Sequence, residues 1–450
     1  MNYLRRAIDQ VLLDWKQDAS RKPLLLRGAR QTGKTTAVRH LANSFEHFVE
    51  VNFEQDSGVQ EFFAGDLEVR AICAKLEMRY NTPLLAGRTL LFLDEIQSCP
   101  AAISALRYFY EDYPELHVIA SGSLLEFAFA NLSDFGVGRI RNLFIYPLSF
   151  EEFAWATGNA LLYAGMLDAG FARPLSPMLH ERLLDLLRDY LIVGGMPGVV
   201  RKFVETRSYL ASQQEQDDIL VSLKSDFDKY HRRVPPEQIR DTLWSVERQL
   251  GSKFVYSNTQ LGLKTQQTKQ CLSLLEMARL VHQVSMSYGN GLPLGGEINP
   301  KMSKYLPLDT GLYLRDSGLE LSEWLQDTSA QFVNHGKLGE LLVGLELLKA
   351  SAPTIPAELY YWQREARGAN AEIDYLTQCG NAVLPIEVKS GTRGSMQSLW
   401  IFLEEKKLPF GVRTSQENFG RRERVFVLPL YAIGKLRHFL KPSNNPPTSS

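Results

Sequence analysis

Gly28, Gly33, Lys34 and Thr35 lie in "LLLRGARQTGKTT", Leu24 to Thr36, at the spacing Gly-x-x-x-x-Gly-Lys-Thr. Glycines so spaced let the backbone turn until successive amide hydrogens point inward, a shape suited to phosphate oxygens. The apolar run before the loop reads as a strand and the residues after it as a helix, whose positive end would face the same anion. The cradle would comprise Gly28, Ala29, Arg30, Gln31, Thr32, Gly33, Lys34, Thr35 and Thr36. Lys34 is placed to reach β- and γ-phosphates, and the Thr35 hydroxyl to ligate Mg²⁺.

A second strand, Leu90 to Leu93, delivers Asp94 and Glu95 to its C-terminal tip, the edge where open α/β sheets bind ligands. Asp94 suits the magnesium shell, and Glu95 suits taking a proton from an attacking water. A third strand ends at Ser121-Gly122-Ser123, where a hydroxyl, Ser121 in preference to Ser123, would orient that water or sense the γ-phosphate. Arg139 and Arg141 follow, and Arg139 is the candidate to stabilise charge on a transferring phosphoryl group, within the chain or across a subunit interface. The chain has no Asn-Lys-x-Asp segment to read guanine, so ATP is the expected nucleotide.

A second constellation lies near the C-terminus, in "ANAEIDYLTQCGNAVLPIEVKSG". The two-residue period of a strand puts Glu387 and Lys389 on one face, and a short hairpin would bring Asp374 alongside. Paired carboxylates make a site for Mg²⁺ or Mn²⁺, with a lysine to position water for phosphodiester attack. The same residues also suit a salt-bridged sheet face that does no chemistry.

"RGARQTGKTT", "LLFLDEIQ", "ASGSLL" and "IYPLSFEEF" together resemble the prokaryotic AAA-type P-loop ATPases related to the archaeal-type ATPases. "YLIVGGMPGVV" and "KMSKYLPLDTGLY" resemble the middle segment of the same group. The resemblance implies an ATPase core, a helical lid, a winged helix and a C-terminal module similar to restriction-endonuclease-like nucleases. Asp374, Glu387 and Lys389 are similar to that superfamily's Asp…Glu-x-Lys core, and Glu340 matches the extra acidic residue many members carry. The usual proline before the aspartate is Ile373 here, and strand alternation points Glu372 the same way as Asp374, crowding the site.

The elements that must hold these residues follow from the hydrophobic pattern. Between Pro23 and Pro147, "PLLLRGA", "HFVEVNF", "TLLFLDE", "LHVIASG" and "IRNLFIY" alternate with helix-length stretches, which predicts a parallel sheet covered on both faces. The resulting expectation is an α/β chain. It has an ATPase core over 1–160, a helical lid over 161–232, a winged helix-turn-helix over 233–325, a nuclease-like domain over 326–440 and a disordered tail over 441–450.

Within the winged helix, "SNTQLGLKTQQTKQCLSLLEMARLVHQVSMS" reads as two short helices and a strand. Lys264, Gln266, Gln267 and Lys269 stand where a DNA reader places its side chains, and Glu276 dilutes their charge. The basic "RRER", Arg421 to Arg424, reads as a solvated turn rather than a phosphate patch.

Composition bounds the rest. With 450 residues, 44% hydrophobic and 22% charged, the chain is long enough for several cores. A formal net charge of -1 gives no whole-chain attraction to nucleic acid, so a DNA surface would be a local patch. Cys73, Cys99, Cys271 and Cys379 are scattered without metal spacing, which predicts reduced structural thiols. No apolar run approaches a membrane span, so the expected setting is the cytoplasm, with no membrane partner. Two readings remain open: an ATPase coupled to a nuclease-like module that processes DNA or RNA, and an ATP-dependent switch whose C-terminal domain is an inactive binding platform. A homo-oligomer is expected if Arg139 serves a neighbouring copy.

Overall fold

The computed structural model describes residues 3–123, 125, 138–230, 234–318, 336–364, 371–389 and 396–441. The expected tail beyond residue 441 and the boundary between 325 and 326 lie outside them. The chain separates into two compact units, one built from residues 1–147 with 277–279 and 352–356, the other from the remainder.

The first unit is a five-stranded sheet in the order β2-β3-β4-β1-β5, with every pairing parallel. Its strands are β1 (Leu24–Arg27), β2 (His47–Asn52), β3 (Thr89–Asp94), β4 (His117–Gly122) and β5 (Arg141–Phe144). All six residues of β3 and of β4 are buried, as interior strands covered on both faces must be. Alternate residues divide between two cores. Leu24, Leu26, Leu90 and Phe92 pack with Leu12, Trp15, Val38 and Leu41 from the helices Ile8–Gln17 and Lys34–Ala42. Leu25, Leu91 and Leu93 pack with Ile72, Leu76, Ile103 and Leu106 from the helices Val69–Tyr80 and Pro100–Asp112. Those two apolar faces fix the strand register, and the register aligns the C-terminal tips of β1, β3 and β4.

The second unit starts with helices. Phe150–Ala156 opens on a capping box in which Ser149 and Glu152 satisfy each other's amides. Pro177–Val193, Pro197–Thr206 and Tyr209–Ser225 follow, and the turn between the first two is fastened by Asp309, whose carboxylate accepts from the Gly195 amide at 2.7 Å.

Its sheet has eight strands in the order β12-β13-β11-β10-β9-β8-β6-β7. These are β6 (Val281–Ser287), β7 (Ile298–Pro307), β8 (Leu359–Arg364), β9 (Ala371–Cys379), β10 (Ala382–Val388), β11 (Gly411–Ser415), β12 (Gly420–Arg422) and β13 (Val425–Pro429). The β6–β7 hairpin, expected to close a wing, also pairs β6 in parallel with β8. The middle and C-terminal segments thus share one continuous sheet.

The first of the two short helices expected after Ser257 does not form. Asp241 accepts the amides of Gln260 and Leu261, and Thr259 accepts that of Leu263, so side chains take donors that a helix would need. The second helix is Thr265–Met277, and Gln267 reaches back to the Lys264 amide at 3.0 Å. The described chain ends on three strands, because the turn around Glu423 folds β12 back onto β13.

Candidate functional site: a phosphate cradle and an acidic cluster

The glycine-spaced loop joins β1 to the Lys34–Ala42 helix, and two of its glycines are needed for separate reasons. A Cβ on Gly28 would stand 2.2 Å from the Ile145 carbonyl oxygen, so only glycine lets the loop start against the chain leaving β5. Gly33 caps the helix at φ 93°, a left-handed conformation that strains other residues. Lys34 is buried, its ammonium donating to the carbonyls of Gly28 at 3.0 Å and Ala29 at 2.9 Å.

Across the strand tips a hydrogen-bonded set assembles around Asp94. Thr35 Oγ1 donates to Asp94 Oδ2 at 3.0 Å, and the Ser121 hydroxyl donates to Asp94 Oδ1. Asp94 is 3% exposed; burial pushes its carboxyl up and Glu95 adds to the push, while the Ser121 and Thr35 hydroxyls oppose it. A buried aspartate facing a threonine hydroxyl at a parallel-sheet edge is a donor set for a hard cation. Glu95 carries a positive φ of 50°, and its Oε2 accepts from Gln97 Nε2 at 2.6 Å.

Sequence spacing brings Lys34, Thr35, Asp94 and Ser121 together as expected. Arg139 pairs with Glu111 at the end of the Pro100–Asp112 helix, and Arg141 with Asp18 at 3.4 Å. Sequence reasoning missed Arg6. Its guanidinium, on a residue 7% exposed, donates to the carbonyls of Thr32 at 3.0 Å and Tyr146 at 2.7 Å, bracing the loop. One of two adjacent arginines before an amphipathic helix carries no spacing signal, so only the fold reveals it.

In the second unit Asp374 on β9 and Glu387 on β10 come together as the hairpin requires. Asp374 Oδ2 accepts from the Val388 amide at 2.7 Å, and Lys389 Nζ lies 2.5 Å from Glu387 Oε1. Carboxylate oxygens of Glu340, Glu372 and Asp374 lie within 4.8 Å of one another, an arrangement able to hold a metal ion. Glu340 comes from the Gly336–Lys349 helix. Burial, then the neighbouring Glu340 and Glu387, push Asp374 well above the ordinary carboxylate range. Burial raises Glu387 as well, against the pull of Lys389.

Lys304, on β7, is the second residue the sequence did not signal. It is 1% exposed, 2.7 Å from Glu340 Oε1 and paired also with Glu372. Burial works against its charge, but Glu340, Glu372 and Asp374 outweigh that and hold the ammonium above its ordinary range. Nothing in the spacing of β7 marks Lys304, which stands in the continuous buried run that ends the strand.

The candidate DNA-reading face is exposed at Lys264, Gln266 and Lys269, with Lys269 Nζ 5.1 Å from the Tyr256 ring centroid. The basic turn is committed locally: Arg422 pairs with Glu417, Arg424 with Glu404, and Arg421 lies over Phe426.

Residues 20–154 match a family model described as an AAA domain. That stretch holds the glycine loop, Asp94 and Ser121. Residues 20–154 are thus similar to AAA-type P-loop domains. Residues 184–323 and 335–433 match two domains of unknown function, DUF8612 and DUF4143. No curated protein matches the chain.

Among solved structures, the Walker-type ATPase PABY2304 of Pyrococcus abyssi aligns at 13% identity and TM-score 0.45, over 70% of this chain and 95% of its own. The Aeropyrum pernix ORC1 protein in complex with DNA aligns at 14% and 0.27, over 69% and 89%. AMPPCP-bound DnaA from Aquifex aeolicus aligns at 14% and 0.26, over 60% and 77%. Superpositions this loose leave the functional reading to the sites themselves. No described helix is long and apolar enough to cross a membrane.

Proposed function

We propose that the first unit hydrolyses ATP with Mg²⁺ and that the cycle operates a nuclease-like module in the second. The observation that carries the first half is the Thr35–Asp94–Ser121 set beside the loop that holds Lys34. In this reading Thr35 and Asp94 would hold the magnesium shell, and Mg²⁺ when bound would supply positive charge against the phosphates. Lys34 leaves the Gly28 and Ala29 carbonyls for the β- and γ-phosphates. Glu95 takes the proton of the attacking water, Ser121 orients that water through Asp94, and Arg139 steadies the transferring group.

For the second half, the convergence of Asp374, Glu387 and Lys389 supports a phosphodiester-cleaving site using Mg²⁺ or Mn²⁺. Asp374, Glu387 and Glu340 would hold the ion, which would polarise a phosphate oxygen, while Lys389 orients water. DNA or RNA would be the substrate, with Lys264, Gln266, Gln267 and Lys269 as a contact surface and a homo-oligomer as the working form. One observation favours a second reading, an ATP-driven switch whose C-terminal module binds partners without cleaving: Lys304 already pairs with Glu340 and Glu372.

Phosphate release and plasmid nicking in the presence of ATP and Mn²⁺ test both halves. Lys34→Ala is expected to abolish ATP turnover, and Asp374→Ala to abolish nicking while sparing ATP turnover. Wild type and Asp374→Ala equally inert on DNA and RNA would overturn the cleavage half in favour of the switch.

A further inference from the structure

We infer that Lys304 is the resident cation of the C-terminal acidic cluster, and that a divalent ion must displace its ammonium to bind there. This rests on reading Glu340, Glu372, Asp374 and Glu387 as the cation site of that module, and it adds a guard supplied by the middle segment.

The geometry places the ammonium on the carboxylates a metal would need. Glu340 and Glu372 belong to the set whose oxygens lie within 4.8 Å, and both are bonded to Lys304 Nζ. The Tyr361 ring, its centroid 5.1 Å from Nζ, adds a π face to the carboxylates around the charge. At 1% exposure the amine has left its water shell, and the carboxylates replace it.

An independent observation shows that the cluster has unused capacity for a cation. Glu387 is 3% exposed, its Oε2 has no hydrogen-bond partner, and its charge acts on Asp374. Four carboxylates face Lys304 and Lys389, with the Arg413 charge acting on Glu387, so an excess of carboxylates over cations remains with the guard in place. Removing the Lys304 charge leaves that excess larger, and the carboxylates must then take up protons or bind metal. Among the described residues Lys304 lies on the edge strand β7, paired in the ladder with β6 and tied outside it by the Phe254 amide on the Ser303 carbonyl. Movement of this strand would uncover the site without parting the β8–β9–β10 strands that carry its acids.

The test is Mn²⁺ binding to the full nucleotide-free chain at pH 8, followed by electron paramagnetic resonance of the free ion. Wild type should bind weakly, Lys304→Met at least ten times more tightly, and Lys304→Met with Asp374→Asn no better than wild type. Lys304→Gln, which keeps a hydrogen-bonding end without charge, should behave like Lys304→Met and serves if the methionine variant fails to fold.

Equal affinity in wild type and both single variants overturns the inference. So does a wild-type dissociation constant in the low micromolar range that is lost in Asp374→Asn, a result that needs no Lys304 variant and would leave the cation-site reading standing. Conversely, tight binding by Lys304→Met without cleavage of any nucleic acid would uphold the guard and remove the nuclease reading.

Discussion

The two units gather their charged and polar groups in opposite ways. In the first, the anion cradle is backbone, a loop between β1 and its helix, and the acid that would hold the metal ends the next strand but one. In the second, every charged group is a side chain, drawn from β7, a helix, β9 and β10. A backbone cradle depends on a few glycines and on strand register. A side-chain cluster depends on burial and charge balance, and one substitution changes that balance without changing the fold.

The sharpest way to break this comparison is to remove one acid from each unit. Asp94→Asn should lower the rate of ATP hydrolysis by at least about a hundredfold, since one preorganised electrostatic group contributes on that order. Asp374→Asn should leave that rate within about twofold. A large loss in Asp374→Asn, measured by phosphate release, would mean that the two sites are energetically linked and not independent.

A smaller effect is expected at the brace. Arg6→Ala removes a charged donor from the Thr32 and Tyr146 carbonyls while touching no phosphate. Hydrogen bonds to charged groups contribute about 1.5–3 kcal/mol, so nucleotide affinity should fall by roughly ten- to a hundredfold if the loop must be rebuilt on binding. Titration of a fluorescent ATP analogue checks this. Unchanged affinity would show that the glycines alone hold the cradle.

The same contrast explains what the sequence revealed. All five strands of the first unit were legible because alternation assigns Leu24 and Leu26 to one core and Leu25 to the other, and the loop motif is contiguous. Asp374, Glu387 and Lys389 were legible because a hairpin and a two-residue period bring them together. Lys304 was not, because it belongs to a hairpin that looked like an isolated wing, and only the parallel pairing of β6 with β8 carries it to the acids. Arg6 depended in the same way on tertiary contact. The missing helix after Ser257 also depended on tertiary contact: Asp241, from the Pro236–Arg248 helix, takes amides some twenty residues on, a pairing that sequence does not display.

The most gradual effects concern stability, where the units should again diverge. In the first unit His117 is buried with Nε2 on the Lys16 carbonyl, and burial lowers it from 6.5 to about 4. The unfolded chain then binds the extra proton between those values, so this unit loses stability as pH falls through 6.5 towards 4.

In the second unit burial, aided by Asp316, raises Glu247 from 4.5 to about 8. Here the folded state binds the extra proton, so stability is fully present below 4.5 and drains away as pH rises to 8. Each slope is at most about 1.4 kcal/mol per pH unit for one proton. Between 4.5 and 6.5 the slopes oppose, and a global melt would register little. Amide exchange, corrected for its intrinsic pH dependence, separates them. Protection in β4 should rise with pH over that interval, while protection in the Pro236–Arg248 helix falls, and Glu247→Gln should flatten the second trend alone. Parallel trends in the two regions would show that the units unfold together and that the division between them is geometric only.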